Sequence, residues 1–360
     1  MTKDKKIDFK RVLNYSGAFI AFLIGSGFAT GQEIMQYFSS YGFKGLLGVL
    51  TVALIFFYVG SNFMSVGQEY NLENGNDIYK YYFGEKLGIM FDYYATAFIY
   101  MSFIVMVAGA GASVNEQYGL AVPIGGIVLG LIAGITVIFG LSNIVDVIGK
   151  IGPAIIFLTL VLGVLSLIKN PDGLKNVNTI LSEIEVLKAS SNWFFAAVSY
   201  AGFCMIWLAG FLAALGNTSK SKKESVLGIF FGVLGFTIAL IIIVLGILAN
   251  IDILEGTQVP NLVLAKEIHP ILAIIFSALV VLGIYTTAVP LLWQVIARFT
   301  EENTKEFRRL TIILTVIGIL IGISIDFDKL INVIYVINGY IGMLLLGAMI
   351  IKSIKEKRII

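Results

Sequence analysis

Three glycines fall within seven residues of one long apolar run near the start of the chain. The run covers about residues 12–38, and the glycines lie in residues 25–31. Because glycine is a poor helix former, this stretch predicts a break in a helix that would otherwise cross a bilayer. Backbone groups freed within hydrocarbon need partners, so a break is tolerated only where it lines an enclosed cavity or a ligand. The alternative is close helix packing through small residues, and the glycines alone do not decide between the two.

Composition places the chain in a membrane. Its 360 residues are 58% hydrophobic and 13% charged, and the mean hydropathy is +0.91, values that indicate an integral membrane protein. The single cysteine, Cys204, excludes an intrachain disulfide, and the single histidine, His269, argues against a His/Cys metal site. The net charge of +2 does not indicate a nucleic-acid partner. No cleavage site follows the basic N-terminus, so the first run is interpreted as a retained helix and not as a signal peptide.

Ten segments are predicted to span the bilayer, in an all-α membrane protein. They cover approximately residues 12–38, 43–68, 90–114, 122–141, 144–168, 192–216, 226–249, 271–298, 308–325 and 330–351. With both termini in the cytoplasm, 19 of the 25 Lys and Arg residues fall on the cytoplasmic side. This asymmetry is the one that the positive-inside rule predicts for ten spans.

The two halves of the chain resemble each other. Residues 27–28 and residues 202–203 are both Gly-Phe, 175 positions apart, close to half the chain length. Five spans precede the second copy and five begin with it, so the second half is predicted to be inserted upside down. Short amphipathic helices are also predicted at residues 76–87, in the cytoplasm, and at residues 260–270, outside the cell. Equivalent elements on opposite faces are expected of an inverted repeat.

Ten spans, a 5+5 inverted repeat and broken first and sixth helices resemble the leucine-transporter (LeuT) fold of the amino acid–polyamine–organocation superfamily. The string GSGFATGQE in the first span is similar to the bacterial YkvI-like membrane proteins. Residues 146–153, DVIGKIGP, resemble a pattern of branched-chain amino acid carriers. The resemblance implies secondary transport of an amino acid or a related small solute across a bacterial cytoplasmic (inner) membrane.

The expected organisation has five parts. A cytoplasmic tail at residues 1–11 precedes the first five-helix repeat at 12–168. An extracellular connection at 169–191 leads to the second, inverted repeat at 192–351, and residues 352–360 form a cytoplasmic tail. The expected partners are a small-molecule substrate and the lipid bilayer.

The break has two kinds of free backbone group. Its N–H ends suit an anionic group such as a carboxylate, and its carbonyl ends suit a cation. The predicted substrate-binding residues are those of the break, the nearby Glu33 and the matching stretch of the sixth span: Gly25, Ser26, Gly27, Phe28, Ala29, Thr30, Glu33, Tyr200, Ala201, Gly202, Phe203 and Cys204. The carbonyls of Ile24 and Gly27 are predicted to face a coupling cation. For the aromatic residues, ordinary helix packing is the alternative.

Glu33 is the strongest single polar candidate. An acid within a span is costly and usually faces a cavity, so Glu33 would bind an amino group, hold a proton or form part of an outer gate. The alternative is that Glu33 lies near the outer interface and is simply hydrated.

The coupling ion is open between sodium and a proton, and no other cofactor is expected. In the LeuT fold a sodium site lies at hydroxyl residues of the eighth helix, and Thr286 and Thr287 are the matching candidates. Their alternative is a bond back to the same helix. In some proton-coupled relatives a lysine of the fifth helix replaces that sodium ion, which makes Lys150 a candidate; its alternatives are pairing with Asp146 or snorkelling to the interface.

Three classes of function compete. The pattern favours a cation-coupled transporter with alternating access around a mid-membrane site at the breaks, or a proton-coupled transporter of an organic cation or amine. A channel would need a continuous polar pore, and the sequence shows isolated polar groups instead. A membrane enzyme is not expected, since neither paired acids nor a histidine-rich cluster is present.

Overall fold

A computed structural model of the chain describes residues 7–72, 75–139 and 145–356, with the backbone alone for Ser26 and residues 145–152. Within this part of the chain the secondary structure is helical and contains no strand. The helices are α1 (Phe9–Leu23), α2 (Ser26–Thr30), α3 (Gln32–Tyr37), α4 (Lys44–Tyr70), α5 (Asp77–Phe83), α6 (Glu85–Tyr118), α7 (Val122–Phe139), α8 (Val145–Lys169), α9 (Val177–Glu183), α10 (Trp193–Asn217), α11 (Lys222–Leu248), α12 (Pro260–Ile268), α13 (Pro270–Ala297), α14 (Lys305–Gly322), α15 (Phe327–Leu330) and α16 (Val336–Lys355). A π-helical turn, Ile331–Tyr335, joins the last two.

Seven of the described helices are long and apolar enough to cross a bilayer. They are α4, α6, α7, α10, α11, α13 and the combined helix Phe327–Lys355. The other three predicted spans correspond to α1–α3, whose pieces are short, to α8, and to α14, which begins with four charged residues among its first five. The total of ten spans therefore stays a prediction.

The outer surface of these helices is apolar. Leu54 of α4 is 74% exposed and Phe139 of α7 is 77% exposed, and many other large apolar side chains on the spans face outward. A soluble monomer rarely exposes continuous apolar surface of this kind, whereas lipid solvates it. The chain is a multi-pass membrane protein.

The order of helices recurs in the two halves. The first span is followed by helices of 27, 7, 34 and 18 residues. After α10 come helices of 27, 9, 28 and 18 residues. The two predicted short helices are thus present as α5 and α12. The first helix of each half packs on the second helix of the other, α1 on α11 and α10 on α4, which interlocks the halves.

The single histidine is a helix cap. His269 Nδ1 accepts a hydrogen bond from the backbone N–H of Ile271, 3.1 Å away, at the start of α13. It satisfies one of the donors that a helix N-terminus leaves free. The residue therefore has a structural role at the start of α13.

The predicted break in the sixth span does not occur, because α10 is continuous from Trp193 to Asn217. Gly202 lies against α16 instead: a Cβ there would come within 2.0 Å of the carbonyl oxygen of Gly339. Gly342 in turn lies against the backbone of Gly202. The glycine of the second copy thus lets two helix backbones approach, as small residues do in membranes, and the helix keeps its own hydrogen bonds.

Candidate functional site

The first span is interrupted as the glycines predict. Helix α1 ends at Leu23, the backbone of Gly25 is extended, and α2 begins at Ser26. A second interruption follows at Gly31, whose φ of 81° lies in the left-handed region that glycine adopts without strain. A side chain at Gly31 would also meet Asn261 Oδ1 at 2.6 Å. The chain therefore turns twice between α1 and α3.

Glu33 lies in the first turn of α3 and is 7% exposed. Its carboxylate rests on Gly27, since a Cβ built on Gly27 would stand 1.7 Å from Glu33 Oε1. None of the ion pairs among the described residues includes Glu33. The expectation that this acid is simply hydrated at the interface does not fit its burial.

A cavity of about 900 Å³ extends from the break to the surface. At its deep end lie Gly25, Gly27 and Glu33, and at its mouth lie Asn76, Gln294 and Arg298. Gln294 and Arg298 are exposed. Its walls come from α1, α6, α8, α10, α13 and the π-helical turn, through Ile24, Ile99, Met106, Ile155, Trp207, Phe211, Thr286, Thr287 and Tyr335 among others.

Only some of the predicted site residues reach this cavity. Among the described side chains and glycines, those that line it are Ile24, Gly25, Gly27, Glu33, Thr286 and Thr287. Phe28 turns away and packs on Phe236, with ring centroids 5.9 Å apart. Thr30 donates its hydroxyl back to the carbonyl of Gly27 at 3.0 Å, and Ala29 is buried beside it. The side chain of Ser26 lies outside the described part of the chain.

The predicted residues of the sixth span lie behind the cavity wall. Tyr200 and Phe203 are buried and contact each other and Tyr37, all with centroids 5.1–5.5 Å apart. Ala201, Gly202 and Cys204 are buried as well. These aromatic residues therefore serve in ordinary helix packing, which was the alternative to a role in binding. They lie behind the side chains that line the cavity.

The two threonines of α13 both donate to the carbonyl of Gly283, Thr286 at 3.0 Å and Thr287 at 2.9 Å. Thr287 Oγ1 also lies 3.6 Å from the position of a Cβ on Gly25. The hydroxyl is therefore beside the break, with its oxygen lone pairs free to accept. The side chains of Lys150 and Asp146 lie outside the described residues.

Trp207 and Tyr335 line the cavity although the sequence did not single them out. Their rings meet edge to face, with centroids 5.3 Å apart and planes at 88°. The Tyr335 hydroxyl and Trp207 Nε1 are buried without a hydrogen-bond partner among the described residues. Tyr335 ends the π-helical turn, an element that often marks functional sites. Neither residue belongs to a sequence motif. The sequence therefore placed both in apolar spans but did not indicate that they line a site.

Arg298 at the mouth is an ion-pair partner of Asp92 on α6, and Asn76 Nδ2 donates to the same carboxylate at 2.8 Å. Asp92 is 6% exposed. The arginine is thus neutralised by a buried acid, and it ties the end of α13 to α6.

The end of the break that faces away from the mouth is closed by amide side chains. Asn261 of α12 donates to the carbonyls of Phe28 and Ala29 at 3.0 and 3.1 Å. Farther out, Gln36 donates to the carbonyl of Asp328 at 2.8 Å and accepts from Asn332 at 3.0 Å. These contacts join α2 and α3 to the second half of the chain.

Comparisons with known proteins agree on the architecture. In fold, the chain is similar to a mutant of the manganese transporter of Eremococcus coleocola (TM-score 0.57, 14% identity, 98% of this chain and 80% of that one). It is also similar to MhsT in complex with L-phenylalanine (TM-score 0.54, 18% identity, 93% and 88%). Mhp1, a nucleobase-cation-symport-1 family transporter, gives a TM-score of 0.57 at 16% identity over 90% and 74% of the chains. The chain has the LeuT fold.

In sequence, the chain is 25% identical to the uncharacterized membrane protein YkvI of Bacillus subtilis, over 94% of this chain and 95% of that protein. It is 24% identical to the uncharacterized protein YyaD of the same organism, over 93% and 95%. No family model matches the chain. The resemblance to YkvI-like proteins is confirmed, and the superfamily and the branched-chain resemblance stay predictions.

Proposed function

We propose that this protein is a cation-coupled secondary transporter that carries an amino acid or a related small organic solute by alternating access. The observation that carries the proposal is the cavity that runs from the surface at Arg298 to the broken first span, where it ends on buried Glu33. Beyond that point Asn261 and Gln36 tie the break to the second half of the chain. A site with access from one side and closure on the other is what alternating access requires.

The open side is proposed to be the cytoplasm, with both termini on that side. The mouth lies at the end of α13 and the start of α5, beside Arg298, and Lys80 follows in the last turn of α5. The positive-inside rule assigns these ends to the cytoplasm. The arrangement described would then be the inward-open state of a bacterial cytoplasmic-membrane transporter.

The coupling cation is proposed to be sodium, bound between the break and α13. The carbonyl of Ile24 and the hydroxyl oxygens of Thr286 and Thr287 would supply the oxygen ligands that a hard cation prefers. The carbonyl of Gly27, which was also predicted to face the cation, already accepts from the N–H of Gly31 and the hydroxyl of Thr30. The closeness of Thr287 Oγ1 to Gly25 supports this location. Lys150 is the competing coupling group, since its positive charge at this place would repel sodium and favour a proton.

The three structurally similar transporters differ in what they bind or carry, so the substrate class has to be inferred from the site. Among the described residues, no group of three or more His, Cys, Asp or Glu side chains is arranged to hold a metal ion. We therefore propose that the substrate is an organic solute and not a metal ion.

Uptake into proteoliposomes tests the proposal. Labelled amino acids and amines that raise the melting temperature of the purified protein would be offered under an imposed sodium gradient, a proton gradient or neither. Saturable, gradient-driven uptake and counterflow are expected, with loss of the sodium dependence in Thr287→Ala and its retention in Lys150→Ala. Gradient-independent leak without saturation would favour a channel, and uptake driven by protons and lost in Lys150→Ala would make Lys150 the coupling group.

A further inference from the structure

We infer that the site selects a small organic cation: an ammonium group paired with Glu33, on an apolar body held against Trp207 and Tyr335. This inference rests on the proposed transport function, and it narrows the substrate class of that same site.

The first argument is the charge of the cavity. Among the described lining residues only Glu33 and Arg298 carry a formal charge. Arg298 is already paired with the buried carboxylate of Asp92 at the mouth. Among the described residues the deep end therefore carries one negative charge, and Glu33, which is only 7% exposed, needs a cation or a proton as its partner.

The second argument is how Glu33 is held. Its carboxylate occupies the space that a side chain on Gly27 would fill, so the acid is folded against the break and does not extend into lipid. Gly27 and Glu33 both line the cavity. The recess aims the carboxylate at the place where a solute would arrive from the mouth.

The third argument is the aromatic pair. Trp207 and Tyr335 stand edge to face at 5.3 Å, and Tyr335 also stacks on Phe203 at 4.7 Å. Both rings line the same cavity as Glu33, with Trp207 partly exposed and Tyr335 buried behind it. An aromatic face beside an acid stabilises a cation through the ring quadrupole, by about 0.5–2 kcal/mol per contact, so Trp207 is the ring that would meet the ligand. The indole N–H of Trp207, which has no hydrogen-bond partner among the described residues, can donate one hydrogen bond to an acceptor on the same ligand.

A free carboxylate on the solute finds no unpaired cationic side chain among the described lining residues. The positive charge of Arg298 is used at the mouth, and α2 has only five residues, so its N-terminus carries little of a helix dipole. The site therefore favours an amine over the corresponding amino acid, and disfavours an anion.

Three probes of one shape and different charge test the inference: 2-phenylethylamine, L-phenylalanine and 3-phenylpropanoate, with isopentylamine as a smaller amine. Binding to the purified full chain would be measured by melting temperature and by tryptophan fluorescence. The amines should bind, L-phenylalanine more weakly, and 3-phenylpropanoate not at all. Glu33→Gln should weaken amine binding at least tenfold, which corresponds to about 1.4 kcal/mol. Tyr335→Leu should weaken it several-fold, and Tyr335→Phe, which keeps the ring, much less.

The matched control is Glu116→Gln, which removes a half-buried carboxylate at the C-terminal end of α6. Glu116 accepts a hydrogen bond from the Thr257 hydroxyl at 3.2 Å, and it does not line the cavity. Its amine affinity should equal that of the parent. Amine affinity unchanged in Glu33→Gln, tighter binding of the anion, or no amine binding at millimolar concentration would each overturn the inference. If gradient-driven uptake of amino acids is unchanged in Glu33→Gln, the transport proposal holds and the inferred selectivity for amines is wrong. Glu33-dependent amine binding without uptake under any gradient would keep the site and remove the transport proposal.

Discussion

The carboxylate of Glu33 lies on the Cα of Gly27, six residues earlier in the chain, in the place where a Cβ would stand. The left-handed backbone of Gly31 folds α3 back over α2 and brings the two residues together. Gly27, which lies in the short helix α2 between the two interruptions, therefore makes room for the buried acid.

Gly27→Ala is expected to push the Glu33 carboxylate out of its recess. The added methyl would come within 1.7 Å of Oε1 and 2.0 Å of Cδ, so the carboxylate, which is the flexible end of a side chain beside a cavity, has to move away. Amine binding should be lost, and the melting temperature should fall only slightly. Gly17→Ala is the control, because a Cβ at Gly17 in α1 meets nothing within 4 Å, and it should leave both unchanged or raise stability slightly.

The same contact predicts an interaction between the two positions. In a Glu33→Ala background the methyl at position 27 meets open space, so Gly27→Ala should cost less there than in the parent. A double-mutant cycle on thermal stability measures the difference. Additive effects would show that the two residues do not share this space.

Gly202→Ala should harm folding and not ligand selectivity. Its methyl would lie 2.0 Å from the carbonyl oxygen of Gly339, a backbone atom that cannot move without separating α10 from α16. We expect a large fall in melting temperature and in the monodisperse yield. Gly347→Ala, on the same α16 and with nothing within 4 Å, should behave like the parent. A Gly202→Ala protein with the parent's stability would contradict the close packing.

Asn261→Ala should loosen the closed side of the break. It removes the amide that donates to the carbonyls of Phe28 and Ala29, and a buried acceptor that loses its donor costs about 1–3 kcal/mol. The reporter is a cysteine in place of Gln32, which is 2% exposed, with the native Cys204 replaced by alanine. Its labelling by a membrane-impermeant maleimide should become several-fold faster. Asn62→Ala is the control, since Asn62 bonds within its own helix, and equal rates in both variants would exclude a closing role for Asn261.

Arg11 and Glu224 are expected to hold the N-terminal helix of the first span, α1, on α11. Glu224 is 2% exposed, lies 3.7 Å from Arg11 Nη1 and accepts from the backbone N–H of Asp8 at 3.0 Å. Arg11→Gln should lower stability by about 1–3 kcal/mol because the buried acid loses its cation. Lys175→Gln breaks an exposed pair with Asp172 and should cost less than about 1 kcal/mol. Similar losses in the two variants, measured by thermal unfolding, would mean that burial adds nothing to the Arg11 pair.

The sequence by itself determined the class of protein, the break of the first span and both short helices. The reason is local: within hydrocarbon each segment must satisfy its own backbone hydrogen bonds, so the length of an apolar run translates directly into a helix. The glycines of residues 25–31 interrupt that pattern locally, because glycine is a poor helix former whatever packs around it. The same reasoning directed attention to Glu33, because an acid in an apolar run is unusual wherever the other helices lie.

Only the tertiary structure decided what each glycine does and which side chains meet. Gly27 and Gly202 are each followed by Phe, yet Gly27 lies in a five-residue helix between two breaks and Gly202 lies inside a continuous helix. Glycine both weakens a helix and permits close approach of two backbones, and the outcome depends on whether a neighbour such as Gly339 is there to fill the space. Trp207 and Tyr335 are separated by 128 positions in the sequence and meet only because α10 and the π-helical turn pack together, which no local pattern records.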